Sequence, residues 1–227
     1  ELPGEDHVEG IYTHLFTKRT ILRSTVTAKD WPDITYKINS NGYRTGEFSE
    51  ISNDDINVLV VGCSYSFGIG LPEKDLYHTH IGNFLSGQFQ QAQGFPPKSA
   101  KIWNVSVPGY SNDAITRLLY RFIPIINPSF VIVQWTMPYR REYVEENNAL
   151  KRILSNHPVY YQDRSPAYKS FFQLHNKFYD QYLWEKNLVM CMALCQSANV
   201  PLIYDNWENF PCIDFARDNE HPGPNAH

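Results

Sequence analysis

A short, almost wholly apolar run lies early in the chain and ends at a glycine. It reads INVLVV over Ile56–Val61, and Gly62 follows it directly. The run is too short for a typical helix and is rich in β-branched residues, as strands are. Apolar residues at successive positions, rather than at alternate ones, are typical of a strand that is buried on both faces. The run therefore predicts a strand inside a parallel sheet that helices cover on both sides.

Three further runs repeat this pattern, and helical patterns separate them. The additional strands are predicted at 101–105, 129–135 and 200–204. Apolar residues recur at helical spacing between Ile115 and Phe122, where Ser111 or Asn112 can cap the helix, and again within residues 170–198. Strands that alternate with helices imply crossover connections and a mostly parallel, doubly wound sheet. The predicted fold class is therefore α/β.

The remaining segments are more polar. Residues 73–86 are compatible with a helix, residues 87–100 predict a polar loop, and residues 140–168 resemble a charged, tyrosine-rich insertion. Residues 1–55 lack apolar periodicity and predict a lead-in of loops and short strands. We expect one domain over 56–227 behind this lead-in, which suits a chain of 227 residues.

Composition and charge exclude several classes of protein. The chain has 20 Lys+Arg and 24 Asp+Glu, a net charge of −4 and a pI near 6.1, so it lacks the basic excess that suits nucleic acid. No apolar window is long enough for a membrane-spanning helix, and no signal peptide opens the sequence, so a cytoplasmic location is the default expectation. Its 4 cysteines lack the paired spacing of a zinc site or a disulfide scaffold. We expect no metal and no cofactor.

Residues suited to acyl chemistry follow the predicted strands. Ligands collect at the carboxyl ends of the strands in such sheets, and Ser64 comes directly after the first strand. A serine becomes a nucleophile when a histidine accepts its proton and a carboxylate orients that histidine. Asp218 and His221 lie close together near the end of the chain and can supply both groups. The backbone N–H groups of Ser64 and Gly109 are candidate donors to an oxyanion.

These blocks, in this order, resemble the SGNH (GDSL-type) esterase/lipase superfamily over roughly residues 38–227. Residues 62–64 (GCS) are similar to the family's Gly-Asp-Ser block, and residues 104–111 (NVSVPGYS) resemble its glycine block. Residues 218–221 (DNEH) resemble its terminal Asp-x-x-His block, and residues 39–44 (NSNGYR) a lead-in found in some members. The resemblance implies a flavodoxin-like three-layer sandwich. It also assigns four roles: nucleophile Ser64, oxyanion donor Gly109, base His221 and orienting carboxylate Asp218.

The sequence departs from the family pattern at two places. Cys63 replaces the acidic residue before the nucleophile, a side chain that is not part of the triad. Residues 136–138 (TMP) stand where the family has Gly-x-Asn, so the asparagine that donates to the oxyanion is missing. The candidates to replace it are Gln134, Thr136 and Arg140. Loss of one such donor costs about 10²–10³ in rate.

The predicted function is that of a serine hydrolase of the SGNH type. Its expected substrate is an ester, such as an acyl or acetyl group on a carbohydrate or another small molecule. Two alternatives remain open. The missing asparagine and the insertion would suit a catalytically impaired binding or assembly module. The same triad would also serve an acyltransferase that delivers the acyl group to a sugar hydroxyl rather than to water.

Other reactive residues have structural interpretations. Ser66 is a competing candidate for the nucleophile. His78 and His80 are expected to be core or surface residues, because their spacing does not put two metal ligands on one helix face. Cys191 and Cys195 lie one helical turn apart in an apolar stripe, which predicts buried thiols.

Overall fold

The computed structural model describes residues 34–91, 99–144, 146, 150–153, 166, 170, 176–206 and 221. Its helices and strands follow one another along the chain as β1 (Ile56–Val61), α1 (Ser64–Phe67), α2 (Tyr77–Gln91), β2 (Ala100–Asn104), α3 (Asn112–Ile126), β3 (Phe130–Trp135), β4 (Arg141–Val144), β5 (Leu150–Ile153), α4 (Lys177–Ser197) and β6 (Leu202–Asn206). Short 3-10 turns lie at Phe48–Glu50 and Glu73–Asp75.

Parallel strands form the central sheet, in the order β2-β1-β3-β6 among the described residues. Val60 of β1 is opposite Asn104 of β2, and Val61 is opposite Val133 of β3. The chain leaves β1 toward one side for β2 and returns to the other side for β3. A crevice opens at such a reversal, outside the carboxyl ends of β1 and β3. The predicted α/β fold with a parallel sheet is confirmed.

Alternate residues of β1, β2 and β3 face two different helix layers. Odd-numbered residues such as Leu59, Trp103 and Val133 belong to the larger core, together with side chains of α3 and α4. Even-numbered residues such as Val58 and Ile132 belong to a smaller core that is covered by α2. All residues of β1 are buried, as the almost wholly apolar run predicts. Helices therefore cover both faces of the sheet.

Polar caps determine where the two long helices behind the larger core begin. At the start of α3, Ser111 Oγ accepts a hydrogen bond from the amide of Ala114 at 3.2 Å. At the start of α4, Asn176 Oδ1 accepts one from the amide of Tyr179 at 2.9 Å. These bonds satisfy backbone donors that have no partner within the helix. Asn127, with a left-handed φ of 48°, ends α3.

The chain ahead of β1 packs onto the larger core. Residues 34–55 form turns and the 3-10 turn Phe48–Glu50. Tyr43 is buried, and its ring meets Phe122 of α3 edge-on with the centroids 5.0 Å apart. This part of the lead-in is thus joined to the sheet domain by apolar contact.

Two segments differ from the sequence-based expectation. Helix α2 continues to Gln91 and takes in the first residues of the predicted loop 87–100. Residues 88–91 (QFQQ) contain neither glycine nor proline, and glutamine has a good helix propensity, so the helix is not interrupted there. Within the predicted insertion, β4 and β5 pair as an antiparallel hairpin with Arg141 opposite Ile153.

Candidate active site

Ser64 lies just beyond the carboxyl end of β1, the strand between β2 and β3. It is the first residue of α1, a single helical turn, and its side chain is 4% exposed. Its Oγ lies 3.9 Å from the Sγ of Cys63, which is also buried. Gly68 ends the turn with a left-handed φ of 78°, and its N–H donates to the carbonyl of Ser64 at 3.0 Å. Ser64 therefore lies at the end of the strand where ligands bind in such sheets.

Gly62 allows the turn to fold back tightly over the end of β1. A Cβ atom at this position would lie 2.4 Å from Ser66 Oγ and 3.2 Å from the carbonyl oxygen of Gln134. The first of these distances is far inside van der Waals contact. Only glycine fits here without moving the turn.

Ser66 is engaged in a buried hydrogen-bond network. Its side chain is fully buried, and its Oγ donates to Gln134 Oε1 at 2.6 Å. The hydroxyl of Tyr77 lies 2.9 Å from the same Oγ. Burial raises the pKa of Tyr77 well above its usual range, so this phenol stays protonated. Ser66, with its hydroxyl proton already donated, is a poor nucleophile in this arrangement.

The backbone of Ser66 is tied to β2 and α2. The carbonyl oxygen of Ser66 accepts a hydrogen bond from Asn104 Nδ2 at 2.9 Å, and His78 Nε2 lies 3.1 Å from it. Asn104 Oδ1 in turn accepts the amide of Ser106 at 3.1 Å. His78 is a buried residue, as expected of a core histidine. The sequence places Asn104 in the glycine block but does not reveal this side-chain role; a polar residue directly after Ile102 and Trp103 was the available signal.

The glycine block follows β2 and runs beside the turn Ser64–Phe67, which carries the predicted nucleophile and is hereafter called the nucleophile turn. The amide of Val107 donates to the carbonyl of Gly62 at 3.3 Å, which joins the two loops directly. Gly109 is half-buried and has a left-handed φ of 78°, a conformation that favours glycine. The loop that carries one predicted oxyanion donor is thereby hydrogen-bonded to the residue just before Cys63 and Ser64.

The three candidate replacements for the missing asparagine lie at the end of β3 (Gln134) and in the segment that follows it (Thr136 and Arg140). Asn112 holds the backbone of Thr136, since Thr136 N–H donates to Asn112 Oδ1 at 3.0 Å and Asn112 Nδ2 donates to the Thr136 carbonyl at 3.2 Å. Thr136 Oγ1 accepts from the Arg140 guanidinium at 2.8 Å. Gln134 Nε2 and Arg140 Nε are buried and have no hydrogen-bond partner among the described residues. The sequence identifies Asn112 only as a helix start, so its second role was missed.

His221 lies against the nucleophile turn. Its ring meets the ring of Tyr65 at a centroid distance of 5.5 Å and an interplanar angle of 85°. Tyr65 follows Ser64 in the chain, so His221 contacts the residue next to the predicted nucleophile. Asp218 lies outside the described residues.

The β4–β5 hairpin lies over the glycine block. The guanidinium of Arg152 is 4.5 Å from the ring centroid of Tyr110, a cation–π distance. Glu142 accepts a hydrogen bond from Ser111 Oγ at 3.0 Å and forms an ion pair with Arg117 at 2.5 Å. The hydrogen bond to Glu142 raises the pKa of Arg117. The hairpin is therefore anchored to the residues that directly follow Gly109.

Two further features are absent from the part of the chain that the structure describes. No group of three or more His, Cys, Asp or Glu side chains is arranged to hold a metal ion. None of the described helices has the length and apolar character needed to cross a membrane.

The chain has a distant structural similarity to several solved proteins. No protein-family model and no curated protein matches the chain. Among solved structures, it is similar to AlinE4, an SGNH-hydrolase family esterase, with 16% identity and a TM-score of 0.39. That match covers 67% of this chain and 59% of AlinE4, so it spans less than two thirds of that protein.

Two further solved structures are similar at the same low level. TesA has 14% identity and a TM-score of 0.36, over 75% of this chain and 91% of TesA. The psychrotrophic esterase EstA from Pseudoalteromonas sp. has 13% identity and a TM-score of 0.36, over 76% of this chain and 90% of EstA.

Proposed function

We propose that the protein is a serine ester hydrolase of the SGNH type, with Ser64 as its nucleophile. The observation that carries the proposal is the ring contact between Tyr65 and His221, because it brings a histidine to the turn on which Ser64 lies. The position of Ser64 at the carboxyl end of β1 supports the same assignment.

The proposed reaction has two acyl-transfer steps. Ser64 Oγ attacks the ester carbonyl while His221 accepts its proton, and the alcohol leaves with that proton. Water then attacks the acyl-enzyme, His221 again accepts a proton, and the proton returns to Ser64 as the acid is released. Asp218 orients His221 in this scheme.

The negative charge on the carbonyl oxygen requires donors. Ser64 is in the first turn of a helix, where backbone N–H groups lack partners within the helix, and the Gly109 N–H is the second proposed donor. Gln134 Nε2 and Arg140 Nε are proposed as candidates for the third, because both are buried donors without a hydrogen-bond partner among the described residues. Removal of a true donor lowers kcat by about 10²–10³.

Labelling with a fluorophosphonate probe and hydrolysis of p-nitrophenyl acetate test the proposal together. We expect the wild-type protein to react in both assays, and Ser64→Ala and His221→Ala to lose both activities. Ser129→Ala is the matched control, because Ser129 is an exposed serine just before β3, at the opposite end of the sheet. A wild-type protein that is not labelled would instead support the binding or assembly module.

The acyl acceptor requires a separate measurement. We expect free acid as the main product when the ester is supplied in water containing a sugar. If the acylated sugar is the main product, and Ser64→Ala abolishes it, the protein is an acyltransferase that uses the same residues.

A further inference from the structure

The nucleophile turn is too short to hold its own position. Helix α1 has only four residues, and the amide of Phe67 donates to the carbonyl of Cys63 at 2.9 Å within this turn. An isolated helical turn is unstable because few hydrogen bonds compensate the loss of backbone freedom. The position of Ser64 must therefore depend on contacts that other elements make with the turn.

Ser66 receives such contacts from three elements. Its hydroxyl bonds to Gln134 of β3 and to Tyr77 of α2, and its carbonyl accepts from Asn104 of β2. Because Ser66 has one hydroxyl proton and donates it to Gln134 Oε1, the bond with Tyr77 must run from the tyrosine to the serine. These donors and acceptors form one connected chain in the smaller, even-numbered face of the sheet.

Asn104 extends this network to the glycine block, which carries Gly109. Its Nδ2 donates to the Ser66 carbonyl at 2.9 Å while its Oδ1 accepts the Ser106 amide at 3.1 Å. A single side-chain amide thus joins the turn that carries Ser64 to the segment that leads to Gly109.

We propose that Ser66 is a positioning residue, which acts with Tyr77, Gln134 and Asn104 to set Ser64 relative to the Gly109 N–H. The inference rests on the proposed hydrolase function. Misplacement of a reacting group by about 1 Å can cost 10²-fold in rate. We therefore expect Ser66→Ala to lower kcat about 10- to 100-fold. KM should stay unchanged, because Ser66 is fully buried and has no exposed surface that a substrate could contact. The pH midpoint of kcat/KM should also stay unchanged, because none of the contacts described for Ser66 involves His221.

A buried hydroxyl elsewhere in the protein provides the matched control. Thr116 Oγ1 is buried between α3 and α4, where it contacts the Asn112 carbonyl, Asn187 Oδ1 and Cys191 Sγ. Thr116→Val removes comparable hydrogen bonds in the odd-numbered face of the sheet. We expect it to lower the free energy of unfolding while the folded protein keeps its kcat.

The experiment measures kcat, KM and urea unfolding for wild type, Ser66→Ala, Tyr77→Phe and Thr116→Val with p-nitrophenyl acetate. Where Ser66→Ala does not fold, Tyr77→Phe decides, with an expected loss in kcat of about 3- to 10-fold. Equal kcat for the folded fractions of wild type and both network variants would overturn the positioning role but not the hydrolase. A wild-type protein without Ser64-dependent activity overturns the proposed function, and the positioning role with it.

Discussion

Replacement of Arg44 by alanine should destabilise the protein, because Arg44 donates hydrogen bonds to carbonyls at and just after the end of the nucleophile turn. Arg44 lies in the lead-in and is 5% exposed. Its Nη1 donates to the carbonyls of Phe67 and Gly68 at 2.8 and 2.7 Å, and its Nη2 donates to the Leu71 carbonyl at 2.9 Å. Its guanidinium also lies over the ring of Tyr36, 4.6 Å from the centroid. Arg44→Ala removes all these contacts at once.

The expected loss follows from the three hydrogen bonds. Hydrogen bonds to charged groups contribute about 1.5–3 kcal/mol each, which sets an upper range of about 5–9 kcal/mol for the set. The bonds share one side chain and are not additive. The Gly68 carbonyl also keeps the amide of Leu71 as a second donor at 3.3 Å. We therefore expect Arg44→Ala to lower the free energy of unfolding by about 3–5 kcal/mol.

Urea unfolding followed by circular dichroism measures this quantity. Arg44→Lys keeps the charge but loses the planar fork that reaches three carbonyls, so its loss should be intermediate. Lys74→Ala, at an exposed position in the neighbouring 3-10 turn, should change stability by no more than about 0.5 kcal/mol. A loss below about 1 kcal/mol for Arg44→Ala would refute the reasoning, because it would mean that those carbonyls are satisfied without Arg44.

Two further predictions concern the larger core and the hairpin. Burial raises the pKa of Cys191 to about 12 and that of Cys195 to about 11. Iodoacetamide at pH 8 should therefore modify these thiols only after unfolding. Modification of the native protein would contradict their burial. Unfolded thiols ionise near pH 8.5, so their contribution to stability should be constant below that pH and fall as the pH rises above it. Asp180→Asn should lower the free energy of unfolding by about 3 kcal/mol, because it breaks the buried 2.5 Å ion pair with Arg141. An unchanged midpoint of urea unfolding would show that this pair does not anchor the hairpin.

Much of the fold could be predicted because its signals are local. The bounds of β1 agree with the apolar run that predicts it, and α3 begins at the cap that Ser111 suggests. The hairpin could not be predicted in the same way. Its strands are short and charged, and long-range contacts such as those between Glu142 and Arg117 hold it in place.

The candidate site likewise has features that are local in the sequence and features that depend on distant residues. A strand followed by Gly62 and Ser64 is visible in the sequence, and the structure has both residues directly after the carboxyl end of β1. The Ser66 hydroxyl donates its hydrogen bond to Gln134, which is 68 residues away in the chain. Sequence spacing alone could not show that the Ser66 hydroxyl donates to Gln134, because this acceptor lies on another strand.

The alternation of the inner strands has a consequence for directed evolution. Odd-numbered positions such as Leu59 and Val133 are apolar and belong to the larger core. On the other face, the apolar residues give way at the strand ends to Asn104 and Gln134, which contact the nucleophile turn. Libraries confined to odd positions should therefore yield mainly variants of altered thermal tolerance, whereas libraries at the even-numbered strand ends should yield variants of altered turnover.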